Sequence, residues 1–145
     1  MKIFPAIDLY EGQAVRLYKG DYQKMTVYAR NPLDLAQKFV QAGCKYLHMV
    51  DLEGAKDDNT ANQATIAALV KESGLFCQAG GGIRSFEVID KYLSLGVNRL
   101  IIGTKAVEDP QFVKEATAKY GEKIAVGIDL KDGLVAIKGW RETAA

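Results

Sequence analysis

Five short apolar runs recur along the chain, each followed by a segment of helical or turn-like pattern, and this alternation limits the fold more than any other feature. The runs are Lys2 to Ile7, Tyr46 to Val50, Leu75 to Ala79, Arg99 to Ile102 and Ile124 to Ile128. Asn31-Pro32 sets the first helix start, a side-chain cap followed by proline at the first helical position. Leu33, Leu35, Ala36, Phe39 and Val40 then share one face, and Gly43 stops the helix. Asn62 is expected to cap a second helix with Ile66, Leu69 and Val70 inward, closed by Gly74. Ser85 opens a third without the glutamate of a capping box, though Glu87 favours its start. Asp109-Pro110 opens a fourth that ends before Gly121. Continuously apolar strands alternating with helices are the pattern of parallel strands buried on both faces and joined by right-handed crossovers.

That reading gives an α/β chain of the parallel (βα)8 barrel class. Each unit takes roughly 30 residues and a closed barrel needs ~250. With 145 residues the sequence holds about five units, as a single domain. Gly12 to Asp21 reads as a loop with a small hairpin, and Leu52 to Asp58 as a polar loop.

The first and fifth strands end alike. Ala6-Ile7-Asp8-Leu9-Tyr10-Glu11-Gly12 is echoed by Gly127-Ile128-Asp129-Leu130-Lys131-Asp132-Gly133, and each is followed by a second short apolar run. A self-match at one offset indicates an internal repeat. Residues 1–121 are then a first half-barrel repeat, and 122–145 open a second.

Charge is nearly balanced, with 19 basic and 18 acidic residues and no basic block, which argues against nucleic acid or an anionic membrane surface as partner. No apolar run approaches the ~20 residues of a membrane span. Cys44 and Cys77 show no ligand spacing and read as reduced core thiols, the pattern of a cytoplasmic protein. His48 is the only histidine, so a metal cage of several histidines is excluded.

In a barrel of this class the reactive groups stand at the C-terminal strand ends. Asp8 and Asp129 hold that place on strands one and five, which oppose each other in an eight-stranded ring. Two facing carboxylates suit general acid/base chemistry; the alternative is that they only bond loop amides. Asp51, closing strand two, is expected to orient a neighbour. Gly80-Gly81-Gly82-Ile83-Arg84 before a helix, and Gly103-Thr104 on the next strand, open the backbone to an anion such as phosphate. The same glycines could instead serve only close strand-to-helix packing. Arg16 either reaches a carboxylate or phosphate or lies in solvent. His48 faces either the lumen, as a substrate donor, or the helices. Trp140 could stack on a planar ring.

Pro5-Ala6-Ile7-Asp8-Leu9, Val15-Arg16-Leu17, Gly80 to Arg84, Gly103-Thr104, Gly127-Ile128-Asp129 and Gly139-Trp140 together resemble the N-terminal part of the histidine-biosynthesis isomerases acting on phosphoribosylformimino-aminoimidazole carboxamide ribotide. The resemblance runs through the whole sequence. It implies a duplicated (βα)8 barrel performing an Amadori rearrangement, aminoaldose to aminoketose, of a bisphosphorylated ribonucleotide without metal or organic cofactor. It assigns Asp8 as proton acceptor, Asp129 as proton donor, and Gly81, Gly82, Arg84, Gly103 and Thr104 to phosphate-binding loops. The cyclase subunit of imidazole glycerol phosphate synthase is similar too, but that family has a cysteine where this chain has Ala6. The stretch Lys56-Asp57-Asp58-Asn59 lacks the glycine usual there, and strands six to eight are not in this sequence. A second class of function follows from that: a non-catalytic half-barrel whose unpaired edges favour self-association or complementation by the missing half.

Overall fold

The computed structural model describes residues 1–57, 62–131, 133–137 and 142–144. Strands β1 (Ala6–Tyr10), β4 (Tyr46–Asp51), β5 (Phe76–Gly80), β6 (Arg99–Ile102) and β7 (Ile124–Val126) lie side by side in sequence order, all parallel. Between them run α1 (Pro32–Gln41), α2 (Leu52–Asp57), α3 (Gln63–Ser73), α4 (Phe86–Ser94), α5 (Thr104–Glu108) and α6 (Pro110–Tyr120). This is an open part of a (βα)8-type barrel, its sheet not closed on itself.

The helix starts follow from local chemistry. Asn31 accepts from the Leu33 amide, Ser85 from Val88 and Asp109 from Phe112, with proline next to the first and third caps. Asn62 departs from the expectation. It sits at the start of α3 in helical backbone and makes no capping bond, because its amide is committed elsewhere.

Alternation decides which strand residues reach the helices. Leu47 and Met49, Cys77 and Ala79, Leu100 and Ile102 point to the helix layer and are buried with Ile66, Leu69 and Ile89. Fully burying one such aliphatic side chain is worth about 1.5–3 kcal/mol, so this layer is the main source of stability. The opposite, lumen-side face is not the continuously apolar one expected, since it carries His48, Gln78 and Arg99 in one row. Below that row Phe4 stacks 4.6 Å from Tyr46, and the Arg99 guanidinium lies 5.4 Å from the Phe4 ring.

Four other expectations change. β1 does not stop at Asp8; it runs on to Tyr10 and turns through Glu11 and Gly12, both at positive φ (47° and 73°), into β2 (Gln13–Tyr18). A second tight turn at Lys19-Gly20 leads to β3 (Asp21–Ala29), a nine-residue strand within what read as loop. Together β2 and β3 extend the sheet beside Asp8, so this part of the β1 edge is paired and not open. The segment after β4 begins as helix α2, with Leu52 and Glu53 buried. The fifth strand ends at Val126, and Asp129 opens a separate antiparallel sheet of β8 (Asp129–Lys131), β9 (Leu134–Ile137) and β10 (Glu142–Ala144). Among the described residues no helix is long and apolar enough to cross a membrane.

Candidate functional site

A cleft of about 380 Å³ lies at the C-terminal ends of the parallel strands. Asp8, Asp129, Gly81, Gly82, Arg84, Gly103 and Thr104 all line it. For the residues at the parallel strand ends, Asp129 on its own sheet apart, the register explains the gathering. Asp8 faces Val50 across β4, Val50 faces Gly80 across β5, and Gly80 faces Ile101 across β6, so one layer of the sheet delivers neighbouring strand ends to one mouth. Asp8 is half-buried between Val50 and Val15, and burial pushes its carboxyl above the usual carboxylate range. A carboxylate so placed is a better proton acceptor than one in water.

The glycines meet the packing reading of the sequence. Gly81 and Gly82 have φ of 101° and 70°, and a Cβ on them would collide with the backbone carbonyls of Asp51 and Gly54. Close packing against the start of α2 therefore demands glycine at both positions with no anion present. Their contact with the cleft is a further property of the same loop.

Other residues are placed apart from the mouth or at its rim. His48 faces the lumen but one layer beneath Asp8, paired across β1 with Ala6. Gln78 accepts from the Arg99 guanidinium, so its amide nitrogen is the group 3.0 Å from His48 Nδ1 and donates to it. Burial, with the nearby Arg99 charge, lowers the His48 pKa, so the imidazole is neutral and accepts at Nδ1. Arg16 is exposed and lines a second depression that Asp8 also borders, with Tyr28 and Leu35. Trp140 lies outside the described residues.

Asp51 points away from the mouth, into the helix layer, and is fully buried. It accepts from the amides of Glu53 (3.2 Å) and Gly54 (3.0 Å), the Asn62 amide (2.8 Å) and the Tyr92 hydroxyl (2.8 Å). It thus orients neighbours, as its position in the sequence implied. Burial and the Asp51 charge drive the Tyr92 phenol far above its usual range.

Sequence reasoning missed Leu17, Gly20, Tyr22 and Lys105, which also line the cleft. The first three arrive on the β2–β3 hairpin, where Tyr22 donates to the Leu52 carbonyl at 3.2 Å. The Lys19-Gly20 pair was the available signal for that turn. Lys105, in the first turn of α5, pairs with Asp109 at 3.1 Å and brings a cation beside Thr104.

Comparison with known proteins shows the family. Residues 2–145 match the family model described as histidine biosynthesis protein. The isomerase of 1-(5-phosphoribosyl)-5-((5-phosphoribosylamino)methylideneamino)imidazole-4-carboxamide from Lactococcus lactis subsp. cremoris (strain SK11) is 51% identical over 144 residues, 98% of this chain and 58% of that protein. Proteins of the same name from Streptococcus sanguinis (strain SK36) and Desulfitobacterium hafniense (strain Y51) are 51% and 49% identical. The chain covers 60% and 57% of their respective lengths, so it spans a little under two thirds of each relative. With a match over nearly every residue and half of them identical to these relatives, the chain belongs to the histidine biosynthesis protein family.

Proposed function

We propose that this chain supplies the first part of a cytoplasmic aldose–ketose isomerase that converts a phosphoribosylamino group to its aminoketose form in histidine biosynthesis. The observation that carries the reading is the shared cleft of Asp8 and Asp129 with the glycine-ended strands. The names of relatives about half identical to it support the same substrate.

In the proposed reaction Asp129 gives a proton to the furanose ring oxygen as the C1′–O bond breaks and the glycosyl nitrogen forms a Schiff base. Asp8 then takes the C2′ proton. The electron pair moves to form the C1′–C2′ double bond and neutralises the iminium nitrogen. Tautomerisation of this enaminol, with a proton returned to C1′, leaves the C2′ ketone. Gly81, Gly82, Arg84, Gly103 and Thr104 would hold one phosphate end, with Lys105 adding charge beside them. His48, neutral and one layer down, would support the mouth from beneath.

The domain reading stands within the same proposal: residues 1–121 form one half-barrel repeat and 122–145 open its twin. As an isolated piece the chain would then be inactive and would associate through β7, complementation by the other half being the second route. Phosphate titration followed through the amide resonances of Gly81, Gly82, Gly103 and Thr104 tests the anion cup, and absence of localised shifts rejects it. Turnover by the complete enzyme carrying Asp8→Asn or Asp129→Asn tests the acid/base pair, and undiminished turnover in either rejects that assignment.

A further inference from the structure

A buried polar cluster behind the mouth is not used by the proposed chemistry. Asp51, Glu53 and Asn62 form it, and all three are buried. Asn62 Nδ2 lies 2.8 Å from Asp51 Oδ1, 3.0 Å from Glu53 Oε2 and 3.3 Å from the Leu9 carbonyl. Its Oδ1 accepts from the Gly12 amide at 2.8 Å. Glu53 Oε2 accepts from the Glu11 amide, also at 2.8 Å. Glu11 and Gly12 are the two central residues of the β1–β2 turn, both at positive φ. Side chains from α2 and the start of α3 therefore capture both central N–H groups of one turn.

That turn decides where β2 lies. β2 sets Val15 directly opposite Asp8 and carries the hairpin from which Leu17, Gly20 and Tyr22 line the cleft. We propose that Glu53 and Asn62 are positioning residues for Asp8: by holding the Glu11–Gly12 turn they keep β2 against β1 and the carboxyl enclosed at the mouth. A hydrogen bond from a backbone amide to a buried carboxylate is among the stronger kinds, and leaving either partner unmatched costs more than the bond itself is worth. Burial of these partners makes the clamp stiff. The commitment of Asn62 to this clamp also explains why it leaves the α3 cap unmade.

The proposal rests on the reading of Asp8 as the proton acceptor, but its test does not. The side-chain carboxyl of Asp8 is followed by carbon NMR through a pH titration of this chain and its variants. In the unaltered chain the midpoint is expected above 3.8, the ordinary value, because the carboxyl is half-buried between Val50 and Val15. Asn62→Ala is expected to move it down toward that value and to speed hydrogen exchange at the Glu11 and Gly12 amides. Glu53→Gln keeps an acceptor for Glu11 and should leave both readouts near those of the parent. Tyr92→Phe cuts the cluster at its far end, away from the turn, and should also leave them in place. An Asp8 midpoint that does not move in folded Asn62→Ala overturns the proposal. Should that variant fail to fold, Glu53→Ala takes its place, with an unmoved midpoint again refuting. Loss of catalytic relevance would show separately, as an active Asp8→Asn enzyme while the Asp8 midpoint still moves in Asn62→Ala.

Discussion

Asp8 and Asp129 occupy the same register position in two separate hairpins. Asp8 faces Val15, Leu9 faces Ala14 and Tyr10 faces Gln13; Asp129 faces Ala136, Leu130 faces Val135 and Lys131 faces Leu134. The match extends the sequence echo to three consecutive cross-strand pairs. It supports the proposal that residues 122–145 open a second copy of the first half. It also gives both carboxylates one local geometry, the start of a tight hairpin at the cleft wall.

Asp8→Asn is expected to lower kcat of the complete enzyme by ~10²–10⁴-fold with little change in KM, because the amide keeps size and hydrogen bonding but cannot take a proton. Steady-state kinetics check it.

The same substitution should stabilise the fold at neutral pH. Burial raises the Asp8 pKa above its ordinary 3.8, so the folded state binds the proton more tightly than the unfolded state does. Stability from this group is greatest below 3.8 and declines as pH rises through the folded pKa. Urea unfolding of parent and Asp8→Asn should therefore differ at pH near 7 and converge at pH near 3, with the variant the more stable at the higher pH.

Gly82→Ala should cost about 3 kcal/mol or more, since it combines positive φ with a backbone collision against Gly54. Gly43→Ala shares the positive φ but meets nothing within 4 Å, so about 1 kcal/mol is expected there. Unfolding midpoints of the two variants separate close approach from conformational preference.

Tyr92→Phe should destabilise by about 1.5–3 kcal/mol, the scale of a buried hydrogen bond to a charged group. In an alkaline absorbance titration, Tyr92 should remain protonated for as long as the chain stays folded. The difference between parent and variant spectra reads that one phenol among the seven tyrosines.

Self-association should be concentration-dependent in sedimentation and should weaken in Ile128→Lys. Ile128 and Leu130 are 65% and 63% exposed beside β7, which pairs only with β6 among the described residues. A lysine there meets an apolar edge with charge. Unchanged association would place the contact elsewhere.

Much of the fold was legible because its determinants are local. Asn31-Pro32, Ser85 and Asp109-Pro110 each cap a helix with atoms two or three residues away, and such signals survive without any tertiary contact. The parallel order of β1, β4, β5, β6 and β7 followed from apolar runs alternating with helices. The repeated Ile-Asp-Leu stretch marked both carboxylates that meet at the cleft.

What the chain could not show in one dimension were the outcomes of competition for the same groups. Asn62 has the side chain of a cap, yet contacts about fifty residues away in sequence claim it. His48 has the chemistry of a site residue, yet strand register sets it one layer below Asp8 and hands its ring to Gln78. Gly81 and Gly82 looked like an anion loop, and the carbonyls that require them to be glycine belong to Asp51 at the end of β4 and Gly54 in α2. Local backbone preference and apolar periodicity are properties of neighbouring residues, so the sequence determined the five parallel strands, the helices capped at Asn31, Ser85 and Asp109, and their order. Which polar atoms pair, and how high each side chain stands in the mouth, depend on register between distant strands, and only the tertiary structure decided them.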